Sequence, residues 1–174
     1  MKMKCLALSV VMALGVAQTA AAAEFLSNGT YLRGDIGGSE LDWSGGNDDG
    51  ALTGGAGLGY DFGNGVRVDG RLDLTRQYHS DEDFGSTTLL GNLYYDFPVS
   101  DVASPYLGAG IGWGWLGDGK TGDENGMAWS LMGGLNMSVT DSVTGDVGYR
   151  FRQIELDGAD VSDHSILAGL RYAF

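Results

Sequence analysis

The sequence predicts an all-β protein, an eight-stranded up-and-down antiparallel transmembrane β-barrel. Three observations predict it: eight segments alternate between apolar and polar residues, the links between them alternate between short and long, and the polar face carries matched charges. Alternation with a period of two is typical of strands, and no useful window after residue 23 shows the period of an amphipathic helix. Glycine supplies 31 of the 174 residues, which suits strands whose backbones approach closely.

The start of the chain has the pattern of a secretory signal peptide, which we assign to residues 1–23. Two lysines precede an apolar stretch, and Ala21 and Ala23 match the small-residue cleavage pattern. Cleavage after Ala23 leaves residues 24–174 as one domain, the barrel. The only cysteine, Cys5, leaves with the signal peptide, so no disulfide is expected in the exported chain.

The charge balance narrows the classes of partner. The whole chain has a net charge of −13, and loss of the two signal-peptide lysines leaves 8 basic against 23 acidic residues, a net charge near −15. A charge balance this acidic argues against nucleic acid and against the binding of anionic headgroups through a basic patch. We therefore expect no nucleic-acid partner.

The clearest alternating segment is 66–78, in which valines and leucines face one way and charged residues face the other. Arg76 is an exception on the apolar face, near the strand end, where a long side chain can snorkel. The eight predicted strands are 30–41, 52–62, 66–78, 88–97, 105–116, 127–139, 143–156 and 164–174.

The links between these strands alternate strictly in length, which predicts an antiparallel meander whose two ends differ. The short links are 63–65, 98–104 and 140–142, and the first of them reads Gly-Asn-Gly, a strong tight-turn signal. The longer links are rich in acidic residues and span 42–50, 79–86, 117–126 and 157–163.

Alternation alone leaves open whether the apolar face lines a soluble barrel or faces lipid. Strand length favours lipid, because runs of about 10–13 residues match tilted strands that cross a bilayer. Aromatic residues at the strand ends of the apolar face also favour lipid, because they predict two girdles at headgroup level. One girdle comprises Tyr60, Phe62, Tyr95, Phe97, Tyr172 and Phe174, and the other comprises Tyr78, Trp113, Trp115 and Trp129.

The polar face favours a closed interior. It carries six arginines and six aspartates, Arg33, Asp35, Asp61, Arg67, Asp69, Arg71, Asp73, Asp96, Asp146, Arg150, Arg152 and Arg171. A cramped lumen requires such matching, because an unpaired charge out of water costs several kcal/mol. We expect these residues, with tyrosines, to fill most of an eight-stranded lumen. Four glycines of the fifth strand, Gly108, Gly110, Gly112 and Gly114, are expected to leave room for small water-filled pockets.

Four segments resemble a known family: TYLRGDIGG, PYLGAGIGWG, GDVGYRFR and HSILAGLRYAF. They are similar to strands of opacity-type and OmpA-like eight-stranded outer-membrane barrels, with small surface proteins of alphaproteobacteria most similar. The resemblance covers nearly all of 29–174. It implies a Gram-negative outer membrane, periplasmic termini and short turns, and extracellular acidic loops. It also implies that the barrel assembly machinery reads the last strand, where Leu170, Tyr172 and Phe174 fit that role.

The function expected of such a chain is structural, in envelope integrity, or one of surface interaction. Its expected partners are outer-membrane lipids and lipopolysaccharide, with a host or envelope ligand bound through the loops. Trp43 and Phe84 are the aromatic candidates for loop contacts. The alternative is a small-solute porin or channel, and a lipid-modifying outer-membrane enzyme is less favoured.

We expect no catalytic, cofactor or metal site. Both histidines, His79 and His164, lie at strand borders. The neighbours His164 and Ser165 point to opposite faces of a strand, so they cannot form a nucleophile–base pair, and no His-x-Ser occurs. The acidic runs 80–85 and 122–126 lack the spacing of an EF-hand loop. They could instead share the divalent cations that cross-bridge lipopolysaccharide.

Overall fold

The computed structural model describes residues 29–43, 49–77, 85–100, 102–117, 124–156 and 160–174. Eight strands follow one another: β1 (Thr30–Trp43), β2 (Asp49–Asp61), β3 (Val66–Gln77), β4 (Gly85–Asp96), β5 (Ala103–Gly117), β6 (Glu124–Ser138), β7 (Val143–Glu155) and β8 (Asp160–Ala173). Each strand pairs antiparallel with the next, and β8 pairs with β1 to close the barrel. The predicted fold class is confirmed. The signal peptide and its cleavage site lie outside the described residues.

The two ends of the barrel differ as predicted. One end, called the turn end here, holds the short links and both ends of the strand series. There the amide of Phe174 donates to the carbonyl of Thr30 at 3.1 Å. The opposite end, the loop end, holds the four longer links. In the described part of the chain, no helix is long and apolar enough to cross a bilayer.

The turn between β2 and β3 depends on its glycines. Gly63 and Gly65 have φ angles of 71° and 86°, a region that side chains disfavour. The carboxylate of Asp61 accepts a 2.8 Å hydrogen bond from the amide of Gly63. The side chain of Asn64 accepts one of 3.1 Å from the amide of Val66. The Gly-Asn-Gly sequence therefore forms the tight turn that it predicts.

Several strands extend farther toward the loop end than the sequence analysis expected. Trp43 and Asp163, both placed in loops, belong to β1 and β8, and backbone pairing continues to the Trp43–Val161 pair. Those loop boundaries were wrong because they were read from the last apolar residues. Backbone hydrogen bonds between strands can continue beyond the hydrocarbon layer of the bilayer. There the outward side chains no longer need to be apolar.

The apolar face of every strand lies on the outside of the barrel. Among its most exposed side chains are Ile111, Leu170 and Ile166, at 63%, 61% and 67% exposure. Buried positions on the other face of β3 hold Arg67, Asp69, Arg71 and Asp73 instead. A soluble barrel would show the reverse arrangement. This distribution is that of a barrel surrounded by lipid.

Outward aromatic pairs mark the turn end. Tyr60 and Phe62 at the end of β2, and Tyr95 and Phe97 at the end of β4, pack edge to face with ring centroids 5.0 Å apart. Tyr172 and Phe174 at the end of β8 repeat the arrangement at 5.4 Å. Toward the loop end, Trp113 and Trp115 are exposed, and Trp129 packs on Phe151 at 5.3 Å. These sets lie where aromatic girdles meet the two headgroup layers; Tyr78 lies outside the described residues.

Candidate functional site

The middle of the lumen holds a chain of ion pairs that crosses the barrel. Arg71 contacts Asp35 of β1 and lies 2.7 Å from Asp73 of its own strand. Asp73 in turn lies 2.9 Å from Arg150 of β7. β3 and β7 stand diametrically opposite in an eight-stranded barrel. The chain therefore ties the two walls together through the centre.

Arg33 is a second crossing point in this middle layer. Its guanidinium lies 3.4 Å from Asp35, 3.5 Å from Asp69 of β3 and 3.6 Å from Asp146 of β7. It also donates a 3.1 Å hydrogen bond to the hydroxyl of Tyr94. One arginine on β1 thus contacts strands on both of its sides.

The turn end of the lumen combines cations with aromatic rings. Arg67 donates to both oxygens of Asp96, at 2.5 and 2.7 Å, the bidentate geometry of a strong charge-assisted pair. The same guanidinium lies 4.7 Å from the ring centre of Tyr94. Arg171 lies 5.3 Å from the ring centre of Tyr31. Asp61, expected in the ion network, accepts the turn hydrogen bond described above through one of its oxygens.

The loop half of the lumen contains a pair that sequence reasoning missed. Arg152 donates to Asp163 at 2.6 Å, and also to Thr88 at 2.8 Å and Thr75 at 2.9 Å. Ser165 donates to the other oxygen of Asp163. Asp163 lies an even number of residues before Ser165 and Arg171, so strand alternation places it on the same inward face. That alternation was the sequence signal for this pair.

A layer of apolar side chains reaches from the middle of the lumen, where Leu90 is the backbone partner of Arg71, to the loop end. These buried inward residues are Ala51, Leu90, Leu116, Ala128, Ile154 and Val161. Sequence reasoning missed this layer as well, because it treated the inner face as polar throughout. The signal was again parity, since Leu90 alternates with the inward residues Asn92 and Tyr94.

The inward glycines of β5 do not leave the room that the sequence analysis expected. A Cβ added at Gly108 would strike the ring of Tyr94, and one at Gly110 would strike the side chain of Asn92. One at Gly114 would lie 2.9 Å from Ile154. Larger side chains from the neighbouring walls therefore occupy the space over these glycines.

The histidine considered for catalysis faces away from its serine neighbour. His164 lies outward, with Nδ1 2.5 Å from the hydroxyl of Tyr149 and its ring 5.0 Å from Phe151. Ser165 is buried and points to the lumen. The two side chains lie on opposite sides of the barrel wall, so they do not form a nucleophile–base pair.

The loop candidates fall largely outside the description. Phe84, His79 and the side chain of Trp43 lie outside the described residues. The acidic run at 80–84 does so too. Within the described ranges, no group of three or more histidine, cysteine, aspartate or glutamate side chains is placed to hold a metal ion.

The closed barrel, the outward apolar belt and the charged interior define an integral β-barrel membrane protein. The chain belongs to the outer membrane protein beta-barrel domain family, whose family model matches residues 6–174. It is accordingly a protein of the Gram-negative outer membrane.

Individual relatives are distant. An uncharacterized protein of Brucella abortus (strain 2308) is 26% identical, over 84% of this chain and 85% of the relative. Outer membrane protein PagN of Salmonella typhimurium is 26% identical, over 59% of this chain and 57% of its own length. Neisserial surface protein A has a similar structure, with a TM-score of 0.77 and 23% identity over 84% of this chain and 98% of that one. This last likeness concerns the fold.

Proposed function

We propose that this protein is a closed structural barrel of the outer membrane, with a lumen plugged by side chains and a role in envelope integrity. One observation carries the proposal: Arg150 and Arg152 of β7 reach Asp73 and Thr75 of β3, the strand directly opposite. The lumen is bridged across its diameter by side chains that a channel would have to move aside.

The strength of these bridges supports a permanent plug. The side chains of Arg71, Arg150, Arg152 and Asp73 are at most 1% exposed. Breaking a buried pair leaves an uncompensated charge, which costs about 3–5 kcal/mol. Opening the lumen would disrupt several pairs at once. This cost opposes the opening of a passage through the lumen.

The apolar layer at the loop end supports the same conclusion. A hydrated solute entering from the loops would first meet the buried Leu116, Ile154 and Val161. A hydrophobic constriction opposes passage because water and ions lose hydrogen bonds there. The porin alternative is disfavoured on both grounds. The enzyme alternative is disfavoured by the opposite orientation of His164 and Ser165.

Assembly and partners complete the proposal. Tyr172 and Phe174 are half exposed on the outward face of the last strand, as is Leu170, so all three are available to the barrel assembly machinery. The apolar belt contacts outer-membrane lipid, including lipopolysaccharide. A host or envelope ligand, if one exists, would bind the four loops, with Trp43 and Phe84 as candidate contacts.

Deletion of the protein tests the structural role. We expect the deletion strain to become more sensitive to detergent and to vancomycin, and plasmid-borne protein to restore resistance. Complementation with a Trp43→Ala, Phe84→Ala variant should restore it equally well. Unchanged sensitivity of the deletion strain, together with capture of a host or envelope ligand by the purified barrel, would replace the structural role with surface interaction.

A further inference from the structure

One cation faces lipid in the part of the chain that the structure describes. Six of its arginines point into the lumen, whereas Arg76 is exposed on the outward face at the loop end of β3. None of the ion pairs between described side chains includes Arg76. Within the described residues the charge of this guanidinium has no carboxylate partner, and Asp81, Glu82 and Asp83 of the link that follows β3 lie outside them.

A groove runs beside Arg76 on the outer surface. It has a volume of about 600 Å³, and its lining includes Leu74, Gln77, Thr87 and Trp115. Glycines form its floor, because Arg76 pairs with Gly85 and Gly85 pairs with Gly117 on the next strand. A Cβ added at Gly85 would lie 3.1 Å from the carbonyl oxygen of Thr75 and 3.8 Å from Cγ of Arg76. Absent side chains thus create space directly against the arginine.

The position of Arg76 fits the headgroup layer. An outward arginine is strongly unfavourable at the middle of a bilayer and close to neutral near its surface. Arg76 lies one residue before the end of β3, and exposed Trp115 of the aromatic girdle borders the same groove. The anionic groups at this depth are lipid phosphates, which arginine binds through paired hydrogen bonds.

On the opposite side of the loop end, exposed side chains are negatively charged. Glu40 of β1, Glu155 of β7 and Asp160 of β8 are exposed there. A lipid phosphate is repelled by these carboxylates and attracted by Arg76. Glu124 of β6, the backbone partner of Leu116 in the groove lining, is exposed as well, so the attraction for a phosphate at the groove comes from Arg76.

We propose that this groove binds the phosphate of a phosphorylated glycolipid of the outer leaflet. Arg76 donates to the phosphate, the Thr87 hydroxyl and the Trp115 indole N–H provide further donors, and the upper acyl chain lies against Leu74. The inference deepens the proposed function, in which lipopolysaccharide contacts the apolar belt, and rests on that part of it. It depends on the outward face meeting lipid and is independent of whether the lumen is closed.

Titration of the purified mature protein in non-ionic detergent tests the site. Lipopolysaccharide is added, or the same material after enzymatic removal of its phosphates, and binding is followed by the rise in unfolding temperature. We expect the intact lipid to bind wild type about tenfold more tightly than Arg76→Ala, the effect of losing a charged hydrogen-bond donor. Arg76→Lys should bind at an intermediate level, and Gly85→Val should bind weakly because its side chain fills the groove.

Glu155→Gln is the matched control, since it changes an outward charge on the opposite side, and it should bind at least as well as wild type. Equal binding by wild type and Arg76→Ala would overturn the proposal, as would equal binding of the intact and dephosphorylated lipids. An equal thermal shift from inorganic phosphate alone would overturn the assignment to lipid. None of these results bears on conductance through the lumen. The lipid site can therefore be disproved without disproving the closed lumen, and the reverse.

Discussion

Arg152 on β7 donates a 2.6 Å hydrogen bond to Asp163 on β8, and both side chains are buried in the lumen. The same guanidinium reaches Thr88 and Thr75 on the far wall. One side chain therefore joins four strands. Asp163 supplies the counter-charge of Arg152, so this ion pair holds the side chains in the loop half of the lumen together.

Replacement of Asp163 by alanine should destabilise the barrel strongly. The change leaves Arg152 buried without its carboxylate, and breaking a buried pair costs about 3–5 kcal/mol. Urea unfolding of the protein in lipid vesicles, followed by tryptophan fluorescence, measures the loss. The double variant Arg152→Met, Asp163→Leu removes both charges and should recover much of that stability. A loss below about 1 kcal/mol in the single variant would show that the pair contributes no more than an exposed one.

Replacement of Gly108 by valine should impair folding, because its Cβ would strike the ring of Tyr94 inside the lumen. Overpacking of this kind costs about 1–3 kcal/mol. Gly70→Val is the matched control, since Gly70 is exposed and a Cβ there meets nothing within 4 Å. Wild type and Gly70→Val should unfold at the same urea concentration, and Gly108→Val should unfold at a lower one. Equal midpoints for the two variants would indicate that the lumen has spare room at Tyr94.

Loss of the terminal ring should reduce assembly in cells. Phe174→Ala removes the aromatic ring directly after β8, which packs on Tyr172. Phe62→Ala removes the equivalent ring of a pair on β2 with the same edge-to-face geometry. If the assembly machinery reads the last strand, only Phe174→Ala should lower the amount of folded protein in outer-membrane fractions, measured by heat-modifiable gel migration. Equal reductions would instead assign both rings a common role as interfacial anchors.

The fold could be predicted from the sequence because each strand carries its orientation in a period of two. Charged residues on β3 and leucines between them determine which face meets lipid, whatever the neighbouring strands do. The short Gly-Asn-Gly link likewise determines its own turn. These are local signals, and a single segment is sufficient to interpret each of them.

The pairing inside the lumen is not local and could not be predicted. Whether Arg152 meets Asp163 or another carboxylate depends on the tilt and stagger of all eight strands. Asp163 was assigned to a loop because strand ends were inferred from apolar residues, which stop where the hydrocarbon stops. The apolar layer around Leu116 was missed because a polar inner face was assumed along its full height.

Conductance across a planar lipid bilayer tests the central claim, that side chains bridging β3 and β7 close the lumen. The account predicts that purified wild-type barrels insert without producing steady open-channel current. Sustained steps of nanosiemens size from wild-type protein would contradict it.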